Sequence, residues 1–164
     1  MGTKGREIVG LDVDQLVEKL NAALADEWLA FYQYWVGAQV VKGPMRGAVE
    51  GELVEHAQEE FEHAGQLVER IVQLAGVPLL SPRDWYDATN CGYEAPEDGR
   101  VVPVLEQNIA GEQCAIETYQ ELAELTRDTD PITYDMVVDI LEDEVEHEED
   151  LQALLEDIEI GLGD

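Results

Sequence analysis

Apolar residues recur at three- and four-residue steps through four long stretches of this sequence, a spacing typical of amphipathic helices. We predict helices over about residues 12–41, 45–75, 102–127 and 131–160. No alternating pattern of period two persists long enough to indicate a strand. The sequence therefore predicts an all-α fold, organised as a single domain over residues 1–164.

The connections between the predicted helices are short, long and short. "KGPMRG", from Lys42, separates the first two helices, and "RDTDP", from Arg127, separates the last two. The middle connection, residues 77–100, is rich in Pro, Gly and Asp and contains one short helical turn. Ser81 and Asp130 each precede a proline, so we expect them to cap the helices that follow. This arrangement predicts an antiparallel four-helix bundle with a long connection, bearing a short helix, between helices 2 and 3.

Two of the predicted helices contain the same Glu-x-x-His pattern. The second contains "EEFEHA", with Glu60 and His63, and the fourth contains "DEVEHEEDL", with Glu144 and His147. Residues three apart lie on one face of a helix, and both pairs lie beside apolar positions. One such pattern in an acidic chain would indicate only a solvated face. A buried carboxylate has to pair, protonate or bind metal, so two patterns in phase with the core predict a shared metal site.

The other two helices each offer one glutamate to complete the site. Glu27 lies in "DEWLAFYQY" and Glu112 lies in "GEQCAIETY". Glu27 precedes Glu60 by 33 residues and Glu112 precedes Glu144 by 32, so the chain repeats one helical hairpin. One glutamate from each of two helices and a Glu-x-x-His pair from each of the others is the ligand set of di-iron and di-manganese carboxylate proteins. Its oxygen-rich character suits iron or manganese better than structural zinc.

The charge of the chain excludes several functions. The chain has 38 acidic and 9 basic residues, for a formal net charge of -29, and this opposes binding to nucleic acid or to anionic membranes. We favour adaptation to high salt as the source of the acidity, with cation gathering as the alternative. A hydrophobic content of 45% excludes a disordered chain. The first residues have no apolar signal core and no apolar run could span a bilayer, so we expect a cytoplasmic protein without a membrane partner.

The four segments "DEWLAFYQY", "EEFEHA", "GEQCAIETY" and "DEVEHEEDL" together resemble the helix signatures of the ferritin-like superfamily. Among its members, bacterioferritin and the Dps-like ferritins are the most similar. The resemblance implies a ferritin-like bundle with two iron ions per subunit, which manganese or zinc could replace. It also implies a ferroxidase that oxidises iron(II) with hydrogen peroxide or dioxygen and stores ferric mineral in a shell. By the same resemblance Glu60 and Glu144 bridge the two ions, and the terminal ligands are Glu27, His63, Glu112 and His147.

Departures from the family pattern narrow these expectations. Bacterioferritin has a haem-binding Met directly after the second-helix glutamate, whereas this chain has Phe61 there, so no haem is expected. We place Phe61 on the inner face of its helix. The first helix has no histidine for a site between subunits, and a fifth helix is missing, which favours a homo-oligomer of twelve subunits.

Two alternatives to an iron-storing ferroxidase remain open. One is a rubrerythrin-like di-iron peroxidase without storage, although the chain lacks Cys-x-x-Cys motifs. The other is a non-enzymatic DNA-protecting shell, which the net charge disfavours.

Three further sets of residues have two interpretations each. Cys91 and Cys114 resemble the cysteine pair of the Dps-like thioferritins. This resemblance implies a pair that shuttles between dithiol and disulfide during peroxide reduction. The other interpretation is that Cys91 is a loop thiol and Cys114 a small buried residue. Tyr34 follows Glu27 by seven residues and Tyr119 follows Glu112 by seven, so each could hydrogen-bond a ligand or simply fill the core. His56 precedes His63 by seven residues. A role in iron entry or at a secondary iron site is one interpretation of His56, and a surface or hydrogen-bonded histidine is the one we favour.

Overall fold

The structure is a computed structural model that describes residues 3–163. It is all-α, as predicted, and within those residues no helix has an apolar stretch that could span a bilayer. Four long helices are preceded by one short helix, and a 3-10 turn and a further short helix lie in the middle connection. The helices are α1 (Thr3–Glu7), α2 (Val13–Val40), α3 (Arg46–Gln73), α4 (Trp85–Ala88), α5 (Val101–Thr126) and α6 (Pro131–Gly163). The sequence did not predict α1.

The end of α2 lies beside the start of α5. The backbone N–H of Lys42 donates to the carbonyl of Gly99 at 2.8 Å, and the N–H of Val101 donates to the carbonyl of Lys42 at 3.0 Å. A Cβ atom at residue 99 would lie 2.5 Å from the Val40 carbonyl oxygen, so this close approach requires glycine. Because α3 also begins at this end, the connection returns along the whole bundle. The helices therefore run antiparallel within each hairpin, and α3 and α5 share one direction.

Local capping explains where α2, the 3-10 turn and α6 begin. The Asp12 carboxylate accepts hydrogen bonds from the two backbone N–H groups of residues 14 and 15, and Ser81 caps the 3-10 turn that begins at Pro82. Asp130 accepts hydrogen bonds from the backbone N–H groups of residues 132 and 133 at 3.2 and 3.3 Å. Short-range signals of this kind are readable in the sequence, which is why Ser81 and Asp130 were predictable as caps.

A buried ion pair joins α3 to α6. The Arg70 Nη2 atom lies 2.9 and 2.8 Å from the two carboxylate oxygens of Asp130, and Nε donates to the Thr133 hydroxyl at 2.8 Å. Arg70 is 5% exposed and Asp130 is fully buried. Removing one member of such a pair leaves an unpaired buried charge, which is strongly destabilising, so the start of α6 is tied to α3 at this point.

The apolar core is divided into two parts by a polar layer. One part packs around Leu20 and Ile71, and the other packs around Leu53 and Leu105. The predicted inward position of Phe61 is wrong: its side chain is 50% exposed and packs against Trp28 on the outside of the bundle. Consecutive helical residues point about 100° apart, so the inward position of the preceding glutamate turns Phe61 outward. The buried glutamates between the two apolar parts form the site described next.

Candidate metal centre

The six predicted ligands lie together in the polar layer, and each is at most 3% exposed. Their side-chain atoms form two groups, and within each group one atom per residue lies within 4.8 Å of the others. The first group is Glu27, Glu60, His63 and Glu144, and the second is Glu60, Glu112, Glu144 and His147. Glu60 and Glu144 belong to both groups, so these two carboxylates lie between the two histidines.

The Nδ1 atom of each histidine faces the carboxylates. His63 Nδ1 lies 3.5 Å from Glu27 Oε2, 3.6 Å from Glu60 Oε2 and 3.3 Å from Glu144 Oε1. His147 Nδ1 lies 3.5 Å from both Glu60 Oε1 and Glu144 Oε2. Glu112 Oε2 completes the second group at 3.9 Å from the same nitrogen. The two halves of the centre therefore have the same composition, with one imidazole and three carboxylates each.

The outer nitrogen of each histidine contacts a carboxylate on the opposite helix. His63 Nε2 lies 3.0 Å from Asp143 Oδ2, and His147 Nε2 lies 2.7 Å from Glu59 Oε2. A carboxylate that accepts a hydrogen bond from Nε2–H fixes the tautomer in which, once the ring is neutral, the Nδ1 lone pair faces the centre. Sequence reasoning missed both carboxylates. The available signal was the acid immediately before the ligand glutamate in both copies of the motif.

The two tyrosines reach the ligands crosswise. The Tyr34 hydroxyl on α2 donates to Glu112 on α5, and the Tyr119 hydroxyl on α5 donates to Glu27 on α2. Both rings are 1% exposed. Burial raises the pKa of each phenol, and the charge of its glutamate partner raises it further, so the hydroxyls keep their protons and remain donors.

Burial and crowding change the protonation of the centre. Burial raises the pKa of the Glu27 carboxyl, and the Glu60 charge raises it further. Burial also raises the pKa of Glu112, with the Glu144 charge as the next cause. Burial would lower the pKa of His147, but the Glu144 and Glu60 carboxylates, each 3.5 Å from its Nδ1 atom, raise it to about 12. In the metal-free state, the protons on Glu27, Glu112 and His147 thus reduce the repulsion between the crowded carboxylates. A cation that binds here has to displace these protons.

Several buried atoms of the centre point to metal. An unpaired buried polar atom costs about 1–3 kcal/mol, and an ion beside each imidazole would remove this cost. The atoms that lack a hydrogen-bond partner within the described residues are Glu27 Oε2, Glu60 Oε1, His63 Nδ1, Glu112 Oε2, Glu144 Oε1 and Oε2, and His147 Nδ1. A donor set of carboxylates with one imidazole per ion fits iron or manganese.

Cys91 and Cys114 form a disulfide that joins the long connection to α5. A cavity of about 40 Å³ lies between this connection and the centre, which is enough room for one small molecule. Its lining includes Cys91, Gly92 and the four predicted ligand glutamates Glu27, Glu60, Glu112 and Glu144. The two cysteines are therefore joined rather than being a loop thiol and a small buried residue, and Cys91 lies beside the glutamates.

His56 differs from the interpretation that the sequence favoured. Its side chain is 2% exposed, and its ring stacks on that of His147 with 4.0 Å between centroids. The Nδ1 atom has no hydrogen-bond partner in the part of the chain that the structure describes. Burial lowers the pKa of His56 to about 3, with the His147 charge as the second cause. His56 is thus neither a surface histidine nor a fully hydrogen-bonded one.

A four-helix bundle with a long middle connection and this crosswise set of glutamates and histidines defines the di-metal carboxylate class. The family of the Ferritin-like domain matches residues 17–160, and the chain belongs to it. This confirms the fold class and the resemblance on which the sequence interpretation rested.

Individual relatives agree with this assignment. The DNA protection during starvation protein of Pyrococcus furiosus is 33% identical over 151 residues, which cover 91% of this chain and 81% of that protein. The bacterioferritin of Rhodobacter capsulatus is 29% identical over 140 residues, covering 85% and 81%. Among solved structures, the bacterioferritin-related protein of Bacteroides fragilis, a dodecameric thioferritin, superposes with a TM-score of 0.97. It is 46% identical, and the match covers 99% of this chain and 98% of that one.

Proposed function

We propose that this protein is a ferroxidase: it oxidises iron(II) at the six-residue centre and retains the ferric product. The observation that carries the proposal is the pair of overlapping ligand groups that share Glu60 and Glu144. Two ions held by shared carboxylates lie close enough together to act on one oxidant molecule. Glu60 and Glu144 would bridge the two iron(II) ions, and each remaining glutamate and histidine would bind one of them.

Hydrogen peroxide or dioxygen is the proposed electron acceptor. With peroxide, two iron(II) ions give one electron each, the O–O bond breaks, and two protons complete two water molecules. Negative carboxylate oxygens are hard ligands, so they favour the iron(III) product over iron(II). The buried tyrosines hold Glu27 and Glu112 through hydrogen bonds, which would keep these ligands in place while the charge of the ions changes.

The cysteine pair supplies a second pair of electrons in this proposal. In the dithiol form, Cys91 and Cys114 lose two electrons and two protons as their disulfide forms, and peroxide accepts both to give two water molecules. The cavity between Cys91 and the ligand glutamates supports this role, because a peroxide molecule there would contact both groups. The pair would link peroxide removal to the thiol supply of the cell.

We also propose a homo-oligomeric shell of twelve subunits that stores the ferric mineral. The relative from Bacteroides fragilis is dodecameric and matches almost the whole chain. Large apolar side chains on the outside of α2 and α3 need a partner in such an assembly: Tyr32 and Trp35 are each 49% exposed, Val54 is 52% and Phe61 is 50%. These side chains would be covered by neighbouring subunits.

The test is rapid-mixing oxidation after anaerobic loading with about two iron(II) ions per subunit, as a two-metal centre requires. Glu60→Ala and His63→Ala should slow the peroxide-dependent phase by about a hundredfold or more, since removing even a residue that only supports a ligand costs up to that much. Glu62→Ala, an exposed neighbour on α3, is the control and should react normally.

Sizing of the same samples separates the alternatives. A large particle that elutes with iron supports storage. Peroxide turnover by a small oligomer that retains no iron would favour the rubrerythrin-like peroxidase instead. A particle that binds less than about one ion per subunit would favour the non-enzymatic shell. Unchanged oxidation by the Glu60 and His63 variants would contradict the assigned centre.

A further inference from the structure

The two residues of the disulfide line different cavities. Cys114 lines a cavity of about 260 Å³ between α2, α5 and the long connection, which we name the Cys114 cavity. The rest of its described lining is Lys19, Asn90, Glu117, Thr118, Glu121 and Leu122. Cys91 instead lines the 40 Å³ cavity beside the predicted ligand glutamates. Thiol–disulfide exchange forms a bond to the attacked sulfur and releases the other one, so this difference in access gives the exchange a direction.

We propose that the Cys114 cavity binds a small aminothiol, a molecule with a thiol, an ammonium and a carboxylate group. Its thiolate attacks Cys114 and releases Cys91 on the side of the two-ion centre. This inference rests on the proposed function, because it names the electron donor for the cysteine pair that the proposed peroxide reduction oxidises.

Two aminothiol molecules complete the exchange. The first thiolate bonds to the Cys114 sulfur as the S–S bond breaks, and Cys91 leaves as a thiolate that takes up the proton the aminothiol lost. The second thiolate bonds to the sulfur of the first aminothiol, and Cys114 leaves with the proton of the second. Two thiols are thereby oxidised to one small disulfide, and the same two electrons reduce the disulfide of the protein.

The size and the charges of the Cys114 cavity favour such a molecule. Cavities for drug-sized ligands span about 300–1,000 Å³, so a cavity of about 260 Å³ suits a smaller one. Lys19, one of three lysines in this acidic chain, can pair with a ligand carboxylate. Glu117 and Glu121 can pair with an ammonium group. An aminothiol is neutral until its thiol ionises, so the net charge of -29 repels it less than it repels a polyanionic thiol.

A hydrogen bond to one of the two sulfurs supports the same direction. Thr118 Oγ1 lies 3.9 Å from Cys91 Sγ, and the hydroxyl is the donor because a disulfide sulfur has no proton. During exchange, negative charge develops on the sulfur that leaves. A donor at Cys91 stabilises that charge on Cys91 rather than on Cys114. Thr118 therefore favours Cys91 as the leaving group and Cys114 as the attacked sulfur.

Cys91 also lines a larger surface cavity, of about 610 Å³, which is less suited to the reductant. Its described lining contains the acids Glu94, Glu97 and Glu106 and no Lys or Arg. These charges repel a thiolate, whereas they do not repel an uncharged peroxide molecule. Charge therefore directs the thiolate to Cys114 rather than to Cys91.

Trapping the intermediate tests which sulfur is attacked. The disulfide form of the metal-free protein is mixed with free cysteine, quenched early with an alkylating agent, and mapped by mass spectrometry. The expected intermediate has a cysteine adduct on Cys114 and an alkyl group on Cys91. An adduct mainly on Cys91 would mean that the thiol attacks from the other cavity, and this would overturn the inference.

Three probe thiols test the recognition of the charged groups: free cysteine, cysteamine, which lacks the carboxylate, and 3-mercaptopropionate, which lacks the ammonium. Rates of disulfide reduction are compared at equal thiolate concentration. Lys19→Gln should slow free cysteine about two- to fivefold without slowing cysteamine, and Glu121→Gln should slow free cysteine without slowing 3-mercaptopropionate. Lys42→Gln and Glu124→Gln make the same charge changes at exposed positions and are the controls. Equal slowing of free cysteine and cysteamine by Lys19→Gln would overturn the assigned carboxylate contact.

Thr118→Val removes the donor at nearly constant size and should slow reduction by all three thiols about two- to tenfold. A dithiol protein is the competing reductant, with thioredoxin as the probe. Faster reduction by thioredoxin than by free cysteine at equal thiolate concentration, unchanged in Lys19→Gln, would overturn the small-thiol assignment.

None of these measurements involves iron, so the two proposals fail separately. The predicted adduct on Cys114 in a protein that oxidises no iron would support this inference and overturn only the ferroxidase. Loss of iron oxidation in Glu60→Ala, together with an adduct on Cys91 in the unsubstituted protein, would support the ferroxidase and overturn only this inference.

Discussion

The carboxylate of Asp26 accepts a hydrogen bond from the backbone N–H of Cys91, with 3.0 Å between Oδ1 and the nitrogen. The same carboxylate accepts hydrogen bonds from the Thr89 hydroxyl and from both the backbone and the side-chain amide of Asn90. Asp26 immediately precedes the proposed ligand Glu27. One turn of α2 therefore carries a proposed ligand and also holds the loop that brings the disulfide beside the centre.

Replacing Asp26 should loosen the cysteine pair. Asp26→Ala removes the acceptor for several hydrogen bonds worth about 1 kcal/mol each. The equilibrium constant for reduction of the disulfide should therefore rise about tenfold or more. The equilibrium is measured in a thiol redox buffer by trapping free Cys91 and Cys114 with an alkylating agent. Asp87→Ala, an exposed acid on the same connection, is the control. Equal reduction of the two variants would show that Asp26 does not position the pair.

The carboxylates that contact the outer nitrogens should tune metal affinity. Glu59→Gln and Asp143→Asn each replace a charged acceptor by an amide at His147 and His63, so the affinity for Co(II) should fall by about 10–100-fold. Isothermal titration at fixed pH gives the affinity. Glu62→Gln changes the same charge on an exposed position of α3 and should bind normally. A loss as large in that control would mean that general charge, rather than histidine orientation, sets the affinity.

The crosswise tyrosines should affect the ligands without contacting metal. Tyr34→Phe removes the hydroxyl that donates to Glu112, and Tyr119→Phe removes the one that donates to Glu27. Each should reduce Co(II) affinity by about tenfold, since a buried carboxylate loses its donor. Tyr32→Phe, at a half-exposed position of α2, is the control. If both buried variants bind as the control does, the hydroxyls serve packing only.

The buried ion pair between α3 and α6 should give the metal-free protein a dependence on acid. Burial would raise the pKa of Asp130, but hydrogen bonds from Thr133 and Arg70 lower it below its usual value. A carboxyl with a lowered folded pKa stabilises the fold fully above about pH 4 and loses that contribution as the pH falls through the folded value. Asp130→Asn should therefore lower the free energy of unfolding by about 3 kcal/mol at pH 7 and flatten this dependence.

Urea unfolding of metal-free protein at one protein concentration, repeated from pH 7 downward, measures this effect. Asp128→Asn, an exposed acid in the same turn, is the control and should change stability by less than about 0.5 kcal/mol. A parallel pH dependence in the Asp130 variant would assign the acid sensitivity to other carboxylates.

Local signals made much of the fold predictable, and they also made it predictable that the six proposed ligands lie together. Helix periodicity gave the four long helices, and caps such as Ser81 and Asp130 act within a few residues of their own positions. Glu60 and His63 were identifiable because both the core phase and the repeated hairpin indicated them. Each of these features depends on residues within a single helix or beside its end. A sequence pattern can therefore predict them.

The missed features depend on contacts between distant segments. Glu59 points away from the core of its own helix, and only the position of His147 on α6 gives it a partner. The burial of His56 likewise depends on which rings α2 and α6 place against it. Phe61 was expected inside because it is apolar, yet Trp28 provides an outer aromatic surface for it. The pairing of Cys91 depends on how the long connection returns along the bundle.

Each helical hairpin carries the same five chemical groups and completes the other rather than itself. The α2–α3 hairpin contains Glu27, Tyr34, Glu59, Glu60 and His63, and the α5–α6 hairpin contains Glu112, Tyr119, Asp143, Glu144 and His147. Every orienting contact crosses from one hairpin to the other. Two copies of a single hairpin related by a two-fold axis would therefore contain the whole centre. The subunit therefore has the chemical groups of two identical hairpins joined in one chain. The sequence of one hairpin would already encode every type of group in the proposed centre.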